Sequence, residues 1–198
     1  MKSKILLSPL LLIYLGIGYI MFPLFLYFIF TEIQLVGSTQ TIYTATQPVI
    51  LYGLPVQIII PKIHTDTFVE HVGLTDTKTV GIPLDPFNVA WFTGGVRPGE
   101  VGVALINGHY GWLQNIPVAF DNLHKLRSGD KVYIKDTLGV TIVFIVRTIT
   151  EYDSYETTEK LLSSKDNKAH LVLITCSGSW DKENKNYSKR LIVFTDKE

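Results

Sequence analysis

The chain contains one cysteine, Cys176, and two other residues could join it in acyl transfer. A free thiol has a pKa of about 8.5 and needs a base to become the attacking thiolate at neutral pH. His109 could exchange a proton with the sulfur and then protonate a leaving amine. Arg190 carries a permanent charge and several donors, which suit the oxyanion of a tetrahedral intermediate. Together these residue types predict acyl transfer through a thioester.

The predicted strands place the three residues near one another. Cys176 ends the apolar run 171–176, and Arg190 opens the next apolar run. If these runs pair antiparallel, they lie about 4.8 Å apart, and a Cys and an Arg can point into one site. His109 follows the run 101–106 after an Asn-Gly pair. We therefore expect three reactive groups at strand ends, with the connection 177–189 forming one wall of a groove.

The rest of the chain after residue 55 consists mainly of short β-rich runs separated by turn residues. Their β-branched content and the Pro-Gly, Gly-Asp and Leu-Gly breaks predict strands. The predicted strands are 56–60, 101–106, 131–135, 140–150, 170–175 and 191–195. Two weaker patterns predict helices over 117–126 and 155–163. Many short strands with few helices indicate a closed or nearly closed β-barrel.

The N-terminal segment has no charged residue from Ile5 to Phe30. As a helix it would be roughly 39 Å long, which is enough to span a bilayer with some tilt. Lys2 and Lys4 precede it, so the N-terminus is expected in the cytoplasm and residues 31–198 outside. The predicted organisation is an uncleaved signal-anchor transmembrane helix over 1–31, a linker over 32–54 and a catalytic domain over 55–198.

Charge and composition argue against several other classes of function. Basic and acidic residues number 18 each, and no basic stripe indicates nucleic-acid binding. His64, Asp66, Glu70 and His71 lie close in sequence, but their spacing matches no metalloprotease helix. We predict no metal and no cofactor. Cys176 has no partner for an intrachain disulfide, so its thiol is free.

Several sequence segments resemble the sortase family. Ile174-Thr-Cys-Ser-Gly and Tyr187-Ser-Lys-Arg-Leu-Ile-Val resemble its cysteine- and arginine-bearing strand pair. Ala90-Trp-Phe-Thr-Gly-Gly-Val-Arg-Pro-Gly-Glu-Val-Gly, followed by Ile106-Asn-Gly-His, resembles the block that leads into the sortase histidine. This form, and the segment 118–130 after it, are most similar to class E/F-type sortases. The resemblance covers about residues 55–196.

The resemblance implies an eight-stranded sortase β-barrel with short helices. It also implies a transpeptidase that cleaves secreted proteins at a C-terminal Leu-Pro-x-Thr-Gly-like sorting signal. Cys176 would attack the Thr carbonyl, His109 would act as general acid and base, and Arg190 would hold the substrate and the oxyanion. Thr175 would support the substrate. An amine on a cell-wall precursor or a pilin would then resolve the thioester.

The chain departs from the family pattern in two places. Many similar sortases carry an acidic residue soon after the histidine, whereas this chain reads His109-Tyr-Gly-Trp. The family's acidic calcium-binding loop has no counterpart in the sequence.

Two other functions stay open. A membrane-tethered cysteine hydrolase would use the same site with water as acceptor. A non-catalytic barrel that binds envelope ligands would leave Cys176 inert.

Overall fold

The computed structural model describes residues 21–29, 51–154 and 163–198. The chain divides into two compact units, Met1–Val49 and Ile50–Glu198. Residues 21–29 are helical with exposed side chains. Among the described residues, no helix has the length and apolar character needed to cross a membrane. Most of the predicted span and linker lies outside the described residues, so the membrane anchor stays a prediction.

The larger unit is built from strands. In residues 51–154 and 163–198 the strands are β1 (Pro55–Ile60), β2 (Thr65–Val72), β3 (Val89–Phe92), β4 (Gly102–Gly108), β5 (Trp112–Leu113), β6 (Ile116–Pro117), β7 (Lys131–Asp136), β8 (Thr141–Asp153), β9 (Ala169–Asp181) and β10 (Asn186–Lys197). Eight of these strands close into a barrel in the order β1-β2-β3-β4-β9-β10-β8-β7, and β5 and β6 form a separate hairpin. Neighbouring barrel strands are antiparallel except for the pairs β2–β3 and β4–β9. This confirms the predicted mainly β, eight-stranded barrel.

Strand β9 carries apolar side chains on both of its faces. Leu171 and Leu173 belong to the buried cluster that fills the barrel. Val172 belongs to a second cluster with Val103 and Ile192, and Ile174 packs against that cluster. Since successive strand residues point to opposite faces, this second cluster lies on the outside of the barrel. The apolar run in β9 is nearly continuous because both faces of the strand are covered.

The structure corrects three sequence predictions. Strands β2 and β3 were not predicted. The helix predicted over 117–126 is wrong, because this segment holds the end of β6, a turn and the short 3-10 helix Leu123–Lys125. Cys176 and Arg190 are not at strand ends, because β9 continues past Cys176 and β10 begins before Arg190. The helix predicted over 155–163 lies outside the described residues except for its last position.

A buried histidine joins β9 to the segment before it. His170 has Nδ1 2.8 Å from Asp196 of β10 and Nε2 2.9 Å from Asp166 in the connection between β8 and β9. Burial opposes protonation of this imidazole, but the carboxylates of Asp166 and Asp196 outweigh burial and raise the pKa of His170. The imidazolium is therefore stabilised in the folded state.

We expect the stabilisation by His170 to weaken as the pH rises. A histidine whose pKa is raised by folding contributes fully below its unfolded value, near 6.5, and loses this contribution as the pH rises through the folded value. The melting temperature of the wild type should therefore exceed that of His170→Asn by more at pH 5.5 than at pH 9. A change of 1 kcal/mol corresponds to about 2–4 °C for a chain of this size.

His64→Asn provides the matched control for this experiment. His64 is exposed and has a left-handed backbone conformation, which Asn tolerates. Its melting temperature should follow that of the wild type across the same pH range. A wild-type advantage over His170→Asn that is the same at both pH values would contradict the role assigned to the imidazolium.

Candidate active site

The register of three strands brings Cys176 between His109 and Arg190. Cys176 and Arg190 are directly opposite each other in the antiparallel pair β9–β10. On the other side of β9, Asn107 of β4 pairs with Ile174 in a parallel ladder. His109 lies two residues beyond Asn107, and this brings it level with Cys176, two residues beyond Ile174. The structure thus brings the three predicted residues together, while their catalytic roles stay predictions.

The three residues line one groove on the outer face of the barrel. Its volume is about 650 Å³, and His109, Cys176 and Arg190 all contribute to its surface. The connection between the two strands was predicted over 177–189 and was expected to form a wall of the groove. It is shorter than predicted, because β9 ends at Asp181 and β10 begins at Asn186. Residues 79–82 and 152–154 border the groove instead. Much of its lining is apolar: Val80, Ile82, Leu105, Ile174, Ile192 and Phe194.

Cys176 is half-buried, and two opposing influences act on the pKa of its thiol. Burial raises the pKa of the Cys176 thiol, and the nearby Arg190 guanidinium lowers it by less. The net pKa is above the ordinary value, so the resting group at neutral pH is the protonated thiol. A thiol must lose its proton before it attacks. The site therefore requires a proton acceptor beside the sulfur.

His109 is oriented by a backbone carbonyl. Its Nε2 lies 3.0 Å from the carbonyl oxygen of Pro83. A carbonyl only accepts hydrogen bonds, so Nε2 carries a proton in this contact. Nδ1 has no hydrogen-bond partner within residues 51–154 and 163–198, so its lone pair can accept a proton. Pro83 thus supplies an orienting group for the imidazole that the sequence did not reveal.

Two contacts hold the C-terminal end of β4, directly before His109, in place. The hydroxyl of buried Thr175 donates to the carbonyl oxygen of Gly108 at 2.7 Å. A Cβ at Gly108 would lie 2.7 Å from the ring of Phe120, so a side chain there would displace that buried ring. The support of substrate predicted for Thr175 stays a prediction. Its observed hydrogen bond connects β9, which carries Cys176, to the end of β4, which leads to His109.

Arg190 is held by the β9–β10 hairpin. Its Nη2 donates to Asn186 Oδ1 at 2.8 Å, and its Nη1 donates to the carbonyl oxygens of Tyr187 and Lys189 at 3.2 and 3.0 Å. The ring of Tyr187 packs edge-on against Tyr110 at 5.4 Å between ring centroids. Neither Asn186 nor Tyr187 was predicted as a site residue, although both lie close to Arg190 in the chain.

A second, smaller cavity reaches Cys176. Its volume is about 280 Å³, and neither His109 nor Arg190 lines it. Ser177 lies on its wall, and the hydroxyl of Ser177 is buried with no partner among the described residues. Asp121 and Glu151 add carboxylates to the lining. This cavity and the groove therefore both border Cys176.

The candidate metal ligands considered in the sequence do not gather into a site. Among residues 21–29, 51–154 and 163–198, no three His, Cys, Asp or Glu side chains are placed to hold a metal ion. Glu70 instead accepts hydrogen bonds from the backbone N–H groups of Leu84 and Asp85.

Comparison with known proteins gives a consistent fold. The family model described as the sortase domain matches residues 58–198. Sortase C-1 from Actinomyces oris is 29% identical, with 72% of each chain covered and a TM-score of 0.54. A lid mutant of sortase A from Corynebacterium diphtheriae is 28% identical, with 76% of this chain and 73% of that chain covered and a TM-score of 0.56. No curated protein sequence matches the chain. The resemblance to class E/F-type sortases stays a prediction.

Proposed function

The chain belongs to the sortase family, and from this we propose that it is a membrane-anchored cysteine transpeptidase. Its proposed substrates are secreted proteins with a Leu-Pro-x-Thr-Gly-like C-terminal sorting signal. It transfers the cleaved protein to an amine on a cell-wall precursor or a pilin. The observation that carries this proposal is the placement of Cys176 between His109 and Arg190 in one groove.

The first half of the proposed reaction forms a thioester. Nδ1 of His109 takes the proton of the Cys176 thiol, and the sulfur attacks the Thr carbonyl of the sorting signal. Arg190 donates hydrogen bonds to the oxyanion. When the C–N bond breaks, the imidazolium returns its proton to the leaving amine. The acyl group is then bound to sulfur, and the C-terminal peptide departs.

The second half transfers the acyl group to an amine. His109 removes a proton from the incoming amine as its nitrogen attacks the thioester, and this proton returns to the sulfur as the C–S bond breaks.

The groove suits an extended peptide with apolar side chains. Ile174, Ile192 and Leu105 line it, and the reactive residues lie along the same face of β4, β9 and β10. The membrane location rests on the uncharged segment 5–30 and on Lys2 and Lys4 before it. In this proposal the N-terminus is cytoplasmic and the barrel acts outside the membrane.

One assay separates the proposed transpeptidase from a hydrolase and from an inert barrel. Purified full-length protein is incubated with a panel of Leu-Pro-x-Thr-Gly-type peptides, with and without triglycine, and the products are identified by mass spectrometry. We expect a ligated product with triglycine and ping-pong kinetics, because amine competes with water for the thioester. Peptides with the same residues in scrambled order serve as controls.

The alternatives give different products in this assay. A hydrolase would release the free acid at the same rate whatever the triglycine concentration. An inert barrel would cleave no peptide of the panel and form no acyl-enzyme. Either result would contradict the proposed transpeptidase activity.

A further inference from the structure

The carbonyl that orients His109 belongs to a loop between β2 and β3. We call residues 81–88 the Pro83 loop. Nε2 of His109 donates to the Pro83 carbonyl oxygen. The next residue, Leu84, donates its backbone N–H to Glu70 Oε2 of β2 at 2.8 Å. Glu70 and His109 therefore bind the same segment of the loop from β2 and from the end of β4.

These two hydrogen bonds are made by one peptide group. The carbonyl of Pro83 and the N–H of Leu84 belong to the same peptide bond, whose atoms are held in a plane by resonance. In a trans peptide the two groups point in opposite directions. A carboxylate that fixes the N–H therefore also fixes the direction of the carbonyl that faces the imidazole. It also polarises the peptide and makes the carbonyl a stronger acceptor.

Glu70 holds more of the loop than this single group. Its Oε1 accepts the backbone N–H of Asp85 at 3.1 Å and the side-chain amide of Asn88 at 3.0 Å. Burial opposes ionisation, but the hydrogen bonds from Leu84, Asn88 and Asp85 lower the pKa of Glu70. The group is therefore a carboxylate at neutral pH, and charge-assisted hydrogen bonds of this kind are stronger than neutral ones.

Further contacts keep the Pro83 loop against the barrel. The side-chain amide of Asn107 donates to the Gly81 carbonyl oxygen at 2.7 Å, and the Thr67 hydroxyl donates to the Phe87 carbonyl oxygen at 2.8 Å. Both contacts are at the ends of the loop, whereas the backbone N–H groups that Glu70 binds, those of Leu84 and Asp85, are in its middle. Loss of Glu70 should therefore leave the loop attached but release the peptide group that faces His109.

We propose that Glu70 is a positioning residue for His109, acting through the Pro83–Leu84 peptide group. The inference rests on the proposed role of His109 in proton transfer. By fixing the Pro83 carbonyl, Glu70 keeps a proton on Nε2 and leaves Nδ1 to exchange protons with the sulfur and the amine. The polarised carbonyl also stabilises the imidazolium that forms when Nδ1 takes a proton.

The test compares substitutions at Glu70 with a control on the same strand. Glu70→Gln keeps the shape but loses the charge and places a donor where an acceptor is needed. Glu70→Ala removes all the contacts. Asp66→Asn is the matched control, because Asp66 also lies in β2 and contacts the side chain of Gln57, away from the Pro83 loop. All variants are full-length proteins, and their folding is checked by thermal unfolding.

Two measurements are made on each folded variant. In peptide–triglycine ligation, kcat should fall about 10-fold for Glu70→Gln and about 100-fold for Glu70→Ala, with KM changed by less than about twofold, because misplacing a proton-transfer group mainly affects the chemical step. In ¹⁵N NMR, neutral His109 should be protonated at Nε2 in the wild type and partly at Nδ1 in Glu70→Gln. Asp66→Asn should match the wild type in both measurements.

Two outcomes overturn the inference. Glu70→Gln with wild-type kcat shows that the contact does not act on the reaction. A lower kcat or a lower melting temperature with an unchanged His109 tautomer shows a structural role alone. If the wild type ligates no peptide, the proposed function fails. The tautomer comparison then still decides whether Glu70 positions His109, since it needs no substrate.

Discussion

Cys176→Ala is expected to form no acyl-enzyme and no ligated product. Cys176 is the chain's single cysteine, so no second thiol can replace it. Removing the nucleophile from a covalent mechanism costs on the order of 10⁶ in kcat. Mass spectrometry of the intact protein with peptide should show the acyl adduct on the wild type and none on the variant. Any turnover by Cys176→Ala above the rate without enzyme would contradict its role as nucleophile.

Alkylation of the folded wild type tests the same residue without a substrate. Since burial raises the pKa of Cys176, iodoacetamide should react slowly at neutral pH. The rate should increase as the pH rises through the raised pKa and the thiolate fraction grows. A thiol that stays unreactive over the whole pH range in which the protein is folded would favour the inert barrel.

Arg190→Ala is expected to reduce kcat/KM for ligation by about 10² to 10³, the usual cost of losing an oxyanion donor. Arg190→Lys should recover a small part of the loss, because an ammonium keeps the charge but lacks the planar fork. In the structure this fork bonds Asn186 with one nitrogen and two carbonyl oxygens of β10 with the other. One lysine nitrogen cannot reproduce this arrangement.

Lys189→Ala is the control for the loss of a neighbouring charge. Lys189 is adjacent to Arg190 but its Nζ pairs with exposed Glu151 at 3.2 Å, so its loss should change kcat/KM little. Removing Arg190 should also move the alkylation profile of Cys176 to higher pH, because the guanidinium lowers the thiol pKa. Wild-type kcat/KM in Arg190→Ala would rule out the assigned role.

The fold was predictable where strands carry long apolar runs. Strands β1, β4, β7, β8, β9 and β10 all coincide with predicted runs, although β9 and β10 extend well beyond them. Strand β2 was missed because its sequence, Thr-Asp-Thr-Phe-Val-Glu-His-Val, is mostly polar. Strand β3 is four residues long and buried on both faces, so it shows no alternation.

The wrong helix prediction has a specific cause. Phe120, Leu123 and Leu126 are three residues apart and all are fully buried, as one face of a helix would be. In the structure these residues lie in a turn and in or next to a 3-10 helix, whose repeat is three residues. Buried apolar residues spaced three apart do not by themselves distinguish an α-helix from a 3-10 helix.

The candidate site was predictable in its side chains but not in their supports. Cys176, His109 and Arg190 were found by residue type and local sequence. Pro83 acts through its backbone carbonyl, which every residue has, so sequence gives no sign of it. Glu70 was considered as a metal ligand, and its hydrogen bonds depend on a loop whose path sequence does not reveal.

The position of β9 in the barrel has a consequence for folding. β9 pairs with β4, which leads to His109, on one side and with β10, which carries Arg190, on the other. The pairing of β4 with β9 joins distant parts of the chain, and folds dominated by such non-local pairings form slowly, in milliseconds to seconds. Until β4 and β9 meet, Cys176 is an ordinary thiol without an imidazole, open to oxidation but unable to use a sorting signal. Recovery of activity after refolding would therefore report closure of the barrel.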